Sequence, residues 1–319
     1  MISKDYLYTD RYNSLSDLHL EDDSLYIYGN SDEDRGNAVA QNYFQNHGNN
    51  VCFLRLRLSD DDFDEVYDDA GNKYNLRSIK DITSVLSMPK IPKLIYLDVT
   101  VLHERIIAGI MRYAHINKIE IRIIYVEPLN YMVREFQRAG VYHDLAAEIN
   151  GIAPLPGFIA ITPDDNNEIP TKLVVFIGFE GGRFTHIYEQ YDISGDNVLP
   201  IVGAPGYRIE YPFMSLWGNR QIIYHSGAWR NIRYCTANSI VDAYCRLLEL
   251  IKGEPATMFK VVPIGTKPHT IAALAFALKY SSNIEIVYDN PKLGPRRSNG
   301  VGAIIETRLN KLMEGEIVE

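Results

Sequence analysis

A glycine, a hydroxyl residue and a lysine follow one another directly after an apolar run late in this sequence. They are Gly265, Thr266 and Lys267 of the segment Val261–Thr270, which also contains His269. If Thr266 begins a helix, the free backbone N–H groups of its first turn, the hydroxyl and the lysine ammonium would together favour an anion. A capped helix with a solvated lysine has the same pattern, and the residues leave both interpretations open.

A second turn after an apolar run is rich in glycine and carries charge. Its candidate ligand-binding residues are Gly178, Gly181, Gly182 and Arg183. The paired glycines would let the backbone approach a ligand closely, and Arg183 would contact a phosphate. The glycine spacing differs from that of a dinucleotide-binding fingerprint. Glycines that serve only a tight turn fit this pattern equally well.

Candidates for acid–base chemistry follow a third apolar run, Leu94–Leu97. Asp98 and His103 could form an acid–base pair, with Thr100 as a hydrogen-bonding partner. Aspartate and threonine before a helix are also ordinary capping residues. Glu180, in the glycine-rich turn, is a further candidate acid or base if the protein is an enzyme.

Two more turns after apolar runs carry residues that would line a ligand site: Gly29, Asn30 and Arg35 in the first, and Asp289 and Arg296 in the second. The second turn follows the strand predicted next after the Lys267 segment, so its cations could face the same pocket. A basic surface turn is the alternative.

An alternation of apolar runs and helical patterns places these turns. Runs such as Leu25–Tyr28 and Leu173–Ile177 alternate with helical segments such as Glu104–His115 and Lys267–Tyr280. This alternation indicates parallel βαβ units. In open parallel sheets ligands bind outside the carboxyl ends of the strands, which is where every candidate above is expected.

The pattern predicts an α/β protein of two Rossmann-like, doubly wound lobes with mostly parallel sheets. Proline, glycine, aspartate and asparagine interrupt the alternation around Gly151–Pro170, which marks a domain boundary. We therefore expect an N-terminal lobe over residues 1–150, a linker over 151–170 and a C-terminal lobe over 171–319. A chain of 319 residues also favours two domains.

Composition narrows the classes of function. The formal net charge of −9 argues against binding of a nucleic-acid duplex through its phosphates. Cys52, Cys235 and Cys245 lack metal-ligand spacing and indicate reduced thiols, and the rest of the sequence shows no metal-site pattern. No apolar run approaches a membrane span, and the N-terminus has no apolar signal region. We expect a cytoplasmic protein without membrane contact, metal or identified cofactor.

The segment Gly265-Thr266-Lys267-Pro268 resembles the CARF and SAVED Rossmannoid sensor domains of prokaryotic antiviral systems, which often carry a Gly-Thr-Lys step between a late strand and the following helix. The resemblance implies a pocket for a nucleotide or cyclic oligonucleotide, with Gly265, Thr266 and Lys267 near phosphate or ribose. It places the Gly29-Asn30 loop on the opposing side. The sequence shows no nuclease motif and no HEPN helix pair, and its layout also resembles bacterial proteins of unknown function.

Three hypotheses of function follow. The first is a nucleotide-binding sensor or accessory protein of a bacterial antiviral system that binds a small phosphorylated ligand. The second is a transferase or hydrolase acting on a nucleotide or sugar-phosphate, with Asp98, His103 or Glu180 as acid or base. The third is a protein–protein scaffold, supported by the aromatic residues of Tyr207–Trp229. A homodimer and a partner encoded in the same operon are compatible with each.

Overall fold

The computed structural model describes residues 5–46, 50–59, 62, 64–86, 91–131, 134–136, 140–142, 146–149, 151–160, 169–280, 282–293 and 298–315. The chain forms two compact units. One combines Lys4–Tyr131 with Pro295–Glu319, and the other consists mainly of Met132–Gly294. We call them the N-terminal unit and the middle unit.

Strands and helices alternate through much of the described chain. The strands are β1 (Thr9–Tyr12), β2 (Leu25–Gly29), β3 (Cys52–Leu58), β4 (Glu65–Tyr67), β5 (Lys73–Asn75), β6 (Leu94–Asp98), β7 (Glu120–Tyr131), β8 (Arg134–Phe136), β9 (Gly140–Tyr142), β10 (Ala146–Ile149), β11 (Ala153–Pro154), β12 (Thr171–Ile177), β13 (Val198–Gly203), β14 (Arg233–Cys235), β15 (Met258–Pro263), β16 (Ile284–Tyr288), β17 (Pro291–Leu293) and β18 (Ser298–Arg308). The helices are α1 (Ala38–Asn46), α2 (Ile79–Leu86), α3 (Glu104–Ile116), α4 (Gly181–Tyr191), α5 (Tyr211–His225), α6 (Ile240–Gly253), α7 (Lys267–Lys279) and α8 (Leu309–Glu314).

The sheet of the N-terminal unit has a parallel centre and antiparallel edges. Its strand order is β1-β18-β7-β6-β2-β3-β4-β5. The four central strands, β7, β6, β2 and β3, are parallel, and the outer strands are joined by antiparallel pairing. The chain passes from β2 to β3 on one side and later to β6 on the other. The direction of winding therefore reverses between β2 and β6, and ligand crevices of open α/β sheets form at such points.

The main sheet of the middle unit has the order β11-β16-β15-β12-β13-β14. Its strands are parallel except for β11, which pairs antiparallel with β16. Here the winding reverses between β12 and β15. The predicted linker over 151–170 is described at 151–160 and 169–170, and it contributes β11 to this sheet.

Burial on both faces explains why these apolar runs form parallel strands. All five residues of β2 and all five of β6 are buried, as are the last five residues of β12. Continuous apolar runs of this kind are typical of strands covered by helices on both sides. The predicted α/β fold with two mostly parallel sheets is confirmed, and the finer description of the lobes as Rossmann-like stays a prediction.

The end of the chain joins the N-terminal unit. Strand β18 pairs antiparallel with β7, with Ile304 opposite Val126, and pairs on its other side with β1. Ile304 and Ile305 are buried in this position. The alternation of strands and helices over 171–319 gives no sign of this return, because the pattern shows where a strand lies and not which sheet it joins.

Candidate functional site

A polar cavity of about 200 Å³ lies in the N-terminal unit, near the carboxyl ends of β2 and β3. The residues that line it are Asn30, Arg55, Arg57, Asp68, Asp69 and Gly71. Positively and negatively charged side chains and the amide of Asn30 therefore meet at an edge of the sheet where the sequence predicts ligand binding. Asn30 is the member of this set that was predicted from the sequence.

The two arginines come from alternate positions of β3. Side chains two residues apart on a strand point to the same face, so Arg55 and Arg57 share one side of the sheet. Arg57 stands opposite Tyr67 of β4 in the strand register, and its guanidinium carbon lies 5.4 Å from the centroid of that ring. This cation–π contact holds Arg57 without neutralising its charge. Among the described residues no carboxylate forms an ion pair with Arg57.

Arg55 is held by an ion pair that can open. Its Nε lies 2.6 Å from Oδ1 of Asp69, and the two side chains are 38% and 57% exposed. Exposed pairs of this kind contribute about 0–1 kcal/mol, so a stronger anion could replace the carboxylate at little cost.

The β4–β5 turn places the acidic wall of the cavity. Gly71 has φ +81°, a conformation that favours glycine. Asp68 is buried and accepts hydrogen bonds from the backbone N–H and the Nδ2 of Asn72, both at 2.8 Å, and from the Tyr74 hydroxyl at 3.0 Å. Burial acts to raise the pKa of Asp68, but these hydrogen bonds outweigh it and lower the pKa below its usual range. Asp68 therefore stays ionised and stabilises the turn.

The predicted acid–base candidates of this unit make structural hydrogen bonds. Asp98 ends β6, and its Oδ2 accepts from the Tyr26 hydroxyl at 2.6 Å while Oδ1 accepts from the Thr100 N–H at 3.0 Å. Thr100 accepts in turn from the Val126 N–H at 3.0 Å. His103 caps α3, with its Nδ1 accepting from the Arg105 N–H at 3.2 Å. Burial raises the pKa of Asp98 above its usual range.

Arg35 lies in the interior of the same unit. Its Nε donates to Glu33 at 3.0 Å and to the Ser298 hydroxyl at 2.9 Å, and its Nη1 donates to the Val126 carbonyl at 2.9 Å. These contacts tie the turn after β2 to the beginning of β18. Gly29 is the buried last residue of β2. Neither Gly29 nor Arg35 lines the cavity. Asn30 is therefore the residue of this turn that contributes a polar group to the cavity.

In the middle unit the structure brings Arg183 and Asp289 together. The Nε and Nη2 of Arg183 donate to the two oxygens of Asp289 at 2.7 and 2.6 Å, a bidentate pair in which the aspartate is fully buried. Glu180 lies 3.7 Å from the same guanidinium. Burial acts to lower the pKa of Arg183, but the hydrogen bonds and charge of Asp289 outweigh it and raise the pKa. The pair fastens α4 to the end of β16.

Close packing requires two of the glycines near Arg183, Gly178 and Gly181, whereas a Cβ at Gly182 would meet nothing within 4 Å. Gly178 follows β12, and Gly181 and Gly182 open α4. A Cβ at Gly181 would collide with the carbonyl oxygen of Gly218 in α5, so only glycine allows these helices to approach as they do.

The Gly265–Lys267 segment begins helix α7, which both interpretations of its sequence require. Thr266 is the N-cap of α7, and its hydroxyl also donates to the Ala237 carbonyl at 2.6 Å. Lys267 is half-buried in the first turn. His269 is fully buried, with Nε2 3.2 Å from the Thr236 carbonyl and 3.3 Å from Cys235 Sγ. Burial lowers the pKa of His269 to about 4, so the imidazole is neutral at neutral pH and gives an anion no charge.

Of the remaining candidates, Arg296 lies outside the described residues. Arg55, Arg57, Asp68 and Asp69 are not among the residues predicted from the sequence. A signal for the first two is present, because arginine at alternate positions of the otherwise apolar run Cys52–Leu58 indicates a strand with one charged face.

Replacing Arg183 by methionine should lower the free energy of unfolding of the middle unit by about 3–5 kcal/mol, because Asp289 would keep a buried charge without its partner. Trp217 and Trp229 are the two tryptophans of the sequence and both belong to this unit, so their fluorescence in urea reports its unfolding. The double variant Arg183→Met with Asp289→Leu should recover most of the loss. A loss below about 1 kcal/mol in Arg183→Met would contradict the buried pair.

The stability of β6 should fall as pH rises from about 4, the usual aspartate pKa, towards neutrality. The folded form holds the Asp98 proton more tightly than the unfolded chain does, so ionisation costs folding free energy through this window. In Asp98→Asn this dependence should disappear. Hydrogen exchange of the β6 amides, corrected for intrinsic rates, measures it. Parallel pH profiles in the parent and Asp98→Asn would contradict the expectation.

Comparisons with protein families and with curated proteins do not identify a relative of this chain. No protein-family model matches the chain, and no curated protein matches it. Among the residues described, no three His, Cys, Asp or Glu side chains form a group that could hold a metal ion. None of the helices in the described ranges combines the length and the hydrophobicity that spanning a membrane requires.

Proposed function

We propose that this chain is a binding protein for a small phosphorylated ligand, which it takes up in the polar cavity of the N-terminal unit. The observation that carries the proposal is the placement of Arg55 and Arg57 on one face of β3, lining a cavity of about 200 Å³. Guanidinium groups match phosphate oxygens with paired hydrogen bonds, which makes arginine the side chain suited to this ligand.

The acidic side of the cavity favours a nucleotide or sugar-phosphate over a bare anion. Asp69 and the amide of Asn30 face the same space as the arginines. A ligand with hydroxyl or amino donors as well as a phosphate would satisfy both sides. The volume is below the 300–1,000 Å³ of pockets for drug-sized ligands, so a ligand no larger than a mononucleotide fits best.

Binding is supported better than catalysis. The candidate acids and bases Asp98 and His103 take part in hydrogen bonds that stabilise turns and helix starts. Asp68, which lines the cavity, has a lowered pKa and serves the β4–β5 turn. A general base near neutral pH would need the opposite shift. Asp98 has such a raised pKa, but it is buried and does not line the cavity.

The narrower proposal is that the bound nucleotide acts as a signal in an antiviral system. It draws its support from the resemblance of Gly265-Thr266-Lys267 to sensor domains; these residues begin α7 in the middle unit and do not line the cavity.

Arg57→Ala should weaken binding of adenosine monophosphate or ribose 5-phosphate by about 10–100-fold, the loss of one charge-assisted hydrogen-bonding group. Isothermal titration calorimetry at low salt measures the change. Arg77→Ala is a matched control, because Arg77 is an exposed arginine of the same unit outside the cavity lining.

Two results would overturn the proposed function. One is a parent protein that binds neither compound nor inorganic phosphate at millimolar concentration. The other is a parent that binds one of them with an affinity that Arg57→Ala and Arg77→Ala leave equally unchanged.

A further inference from the structure

Helix α5 of the middle unit exposes aromatic rings to solvent. Phe213, Trp217 and Tyr224 are spaced by four and seven residues, which puts them on one side of the helix. They are 70%, 58% and 74% exposed. The opposite side packs into the unit through Tyr211, Ser215, Asn219, Ile222 and Ile223. A surface helix normally turns polar residues outward, so this outward face departs from the usual pattern.

The exposed apolar side chains continue beyond both ends of the helix. Ile209 precedes α5 and is exposed, and Trp229, in the short 3-10 turn Ala228–Asn231 that follows it, is also exposed. From Phe213 to Tyr224 the helix rises about 16 Å. We define the aromatic–arginine surface as Ile209, Phe213, Trp217, Tyr224 and Trp229 together with Arg220 and Arg230. Contiguous exposed apolar groups of this kind mark interaction sites.

Arginines lie directly on these rings. The guanidinium of Arg220 is 4.1 Å from the centroid of Trp217, and that of Arg230 is 5.1 Å from the centroid of Trp229. Arg220 also donates to the Trp217 carbonyl at 2.7 Å. In the described part of the chain, Arg220 forms no ion pair with a carboxylate.

The local charge is opposite in sign to that of the whole chain. Residues 207–234 contain four arginines, one glutamate, and no aspartate or lysine, within a chain of net charge −9. The one glutamate, Glu210, is paired with Arg208 at 2.8 Å. Asp196, from outside this segment, pairs with Arg230 at 3.6 Å, and both side chains are largely exposed. The aromatic–arginine surface is therefore an apolar face that keeps a positive charge excess through Arg220.

We propose that the aromatic–arginine surface is the docking site for an acidic segment of a partner protein, one that carries apolar side chains between its carboxylates. Tryptophan, tyrosine and arginine are the residues that contribute most to protein–protein binding energy. Carboxylates of the partner would pair with Arg220 and compete with the exposed Asp196 for Arg230. Its apolar side chains would cover Phe213, Trp217 and Tyr224. The inference is independent of the ligand cavity, which belongs to the other unit.

Two other occupants fit the same observations less well. A second copy of this chain, docked symmetrically, would set Arg220 and its neighbours against themselves, and like charges repel. Single-stranded RNA would need ring faces open for stacking, whereas arginines already cover a face of Trp217 and of Trp229. The surface also lacks the lysines that usually accompany phosphate binding.

The experiment uses fluorescence anisotropy with the full chain and four probes. They are a labelled peptide of alternating glutamate and leucine pairs, the same peptide with glutamine for glutamate, a labelled oligouridine, and labelled protein itself. The acidic peptide should bind with micromolar affinity, and Trp217→Ala and Arg220→Glu should each weaken it at least about tenfold. Ile159→Ala, an exposed apolar residue elsewhere in the middle unit, should leave binding unchanged.

The side chains to be changed are exposed, so each variant should melt at the temperature of the parent, and circular dichroism checks this. Four outcomes would overturn the inference: no binding of the acidic peptide, equal binding of the glutamine peptide, binding that Trp217→Ala and Arg220→Glu leave intact, or preferential binding of oligouridine. Self-association lost in Trp217→Ala would assign the surface to a second copy instead.

Discussion

Burial of the central strands on both faces is the constraint on which the rest of the structure depends. Because β2, β6 and β12 admit apolar side chains along nearly their whole length, polar residues collect where these strands end. Those ends are themselves buried, so each polar group there needs a partner. The Tyr26 hydroxyl donates a hydrogen bond to Asp98, and Asp289 accepts hydrogen bonds from Arg183. Most charge at the strand ends is therefore used to hold turns in place. The cavity lies beside β3, a less buried strand whose arginines keep contact with solvent.

Local pattern was enough to predict the elements that the core requires. The strands around Leu25–Tyr28, Leu94–Leu97 and Leu173–Ile177 follow from apolar runs that end in glycine or aspartate. Helices α3 and α7 follow from periodic apolar residues and, in α7, from the Thr266 cap. The α/β class and the position of polar groups at the carboxyl ends of strands are consequences of these elements, and both could be predicted for the same physical reason.

Partners far apart in the sequence could not be predicted. Arg183 and Asp289 are 106 residues apart, and Arg35 and Ser298 are 263 apart. An arginine that binds a ligand and one that holds a buried aspartate look alike in a local pattern, because the difference lies in what the fold brings opposite the guanidinium. The cavity depends on such long-range geometry too, since the β4–β5 turn carries Asp69 to Arg55. The alternate arginines of β3 are the feature of the cavity that the local sequence pattern shows.

The return of β18 to the N-terminal unit has a consequence for biosynthesis. The eight-stranded sheet is built from segments that precede and follow the middle unit in the chain. The ribosome must therefore finish the whole middle unit before β18 exists, which takes on the order of ten seconds or more at usual rates of translation. Until then, the nascent chain presents β7 without the neighbour that later covers its outer edge. Exposed strand edges can pair with other chains. During this interval the nascent protein therefore most needs chaperones to protect it from aggregation.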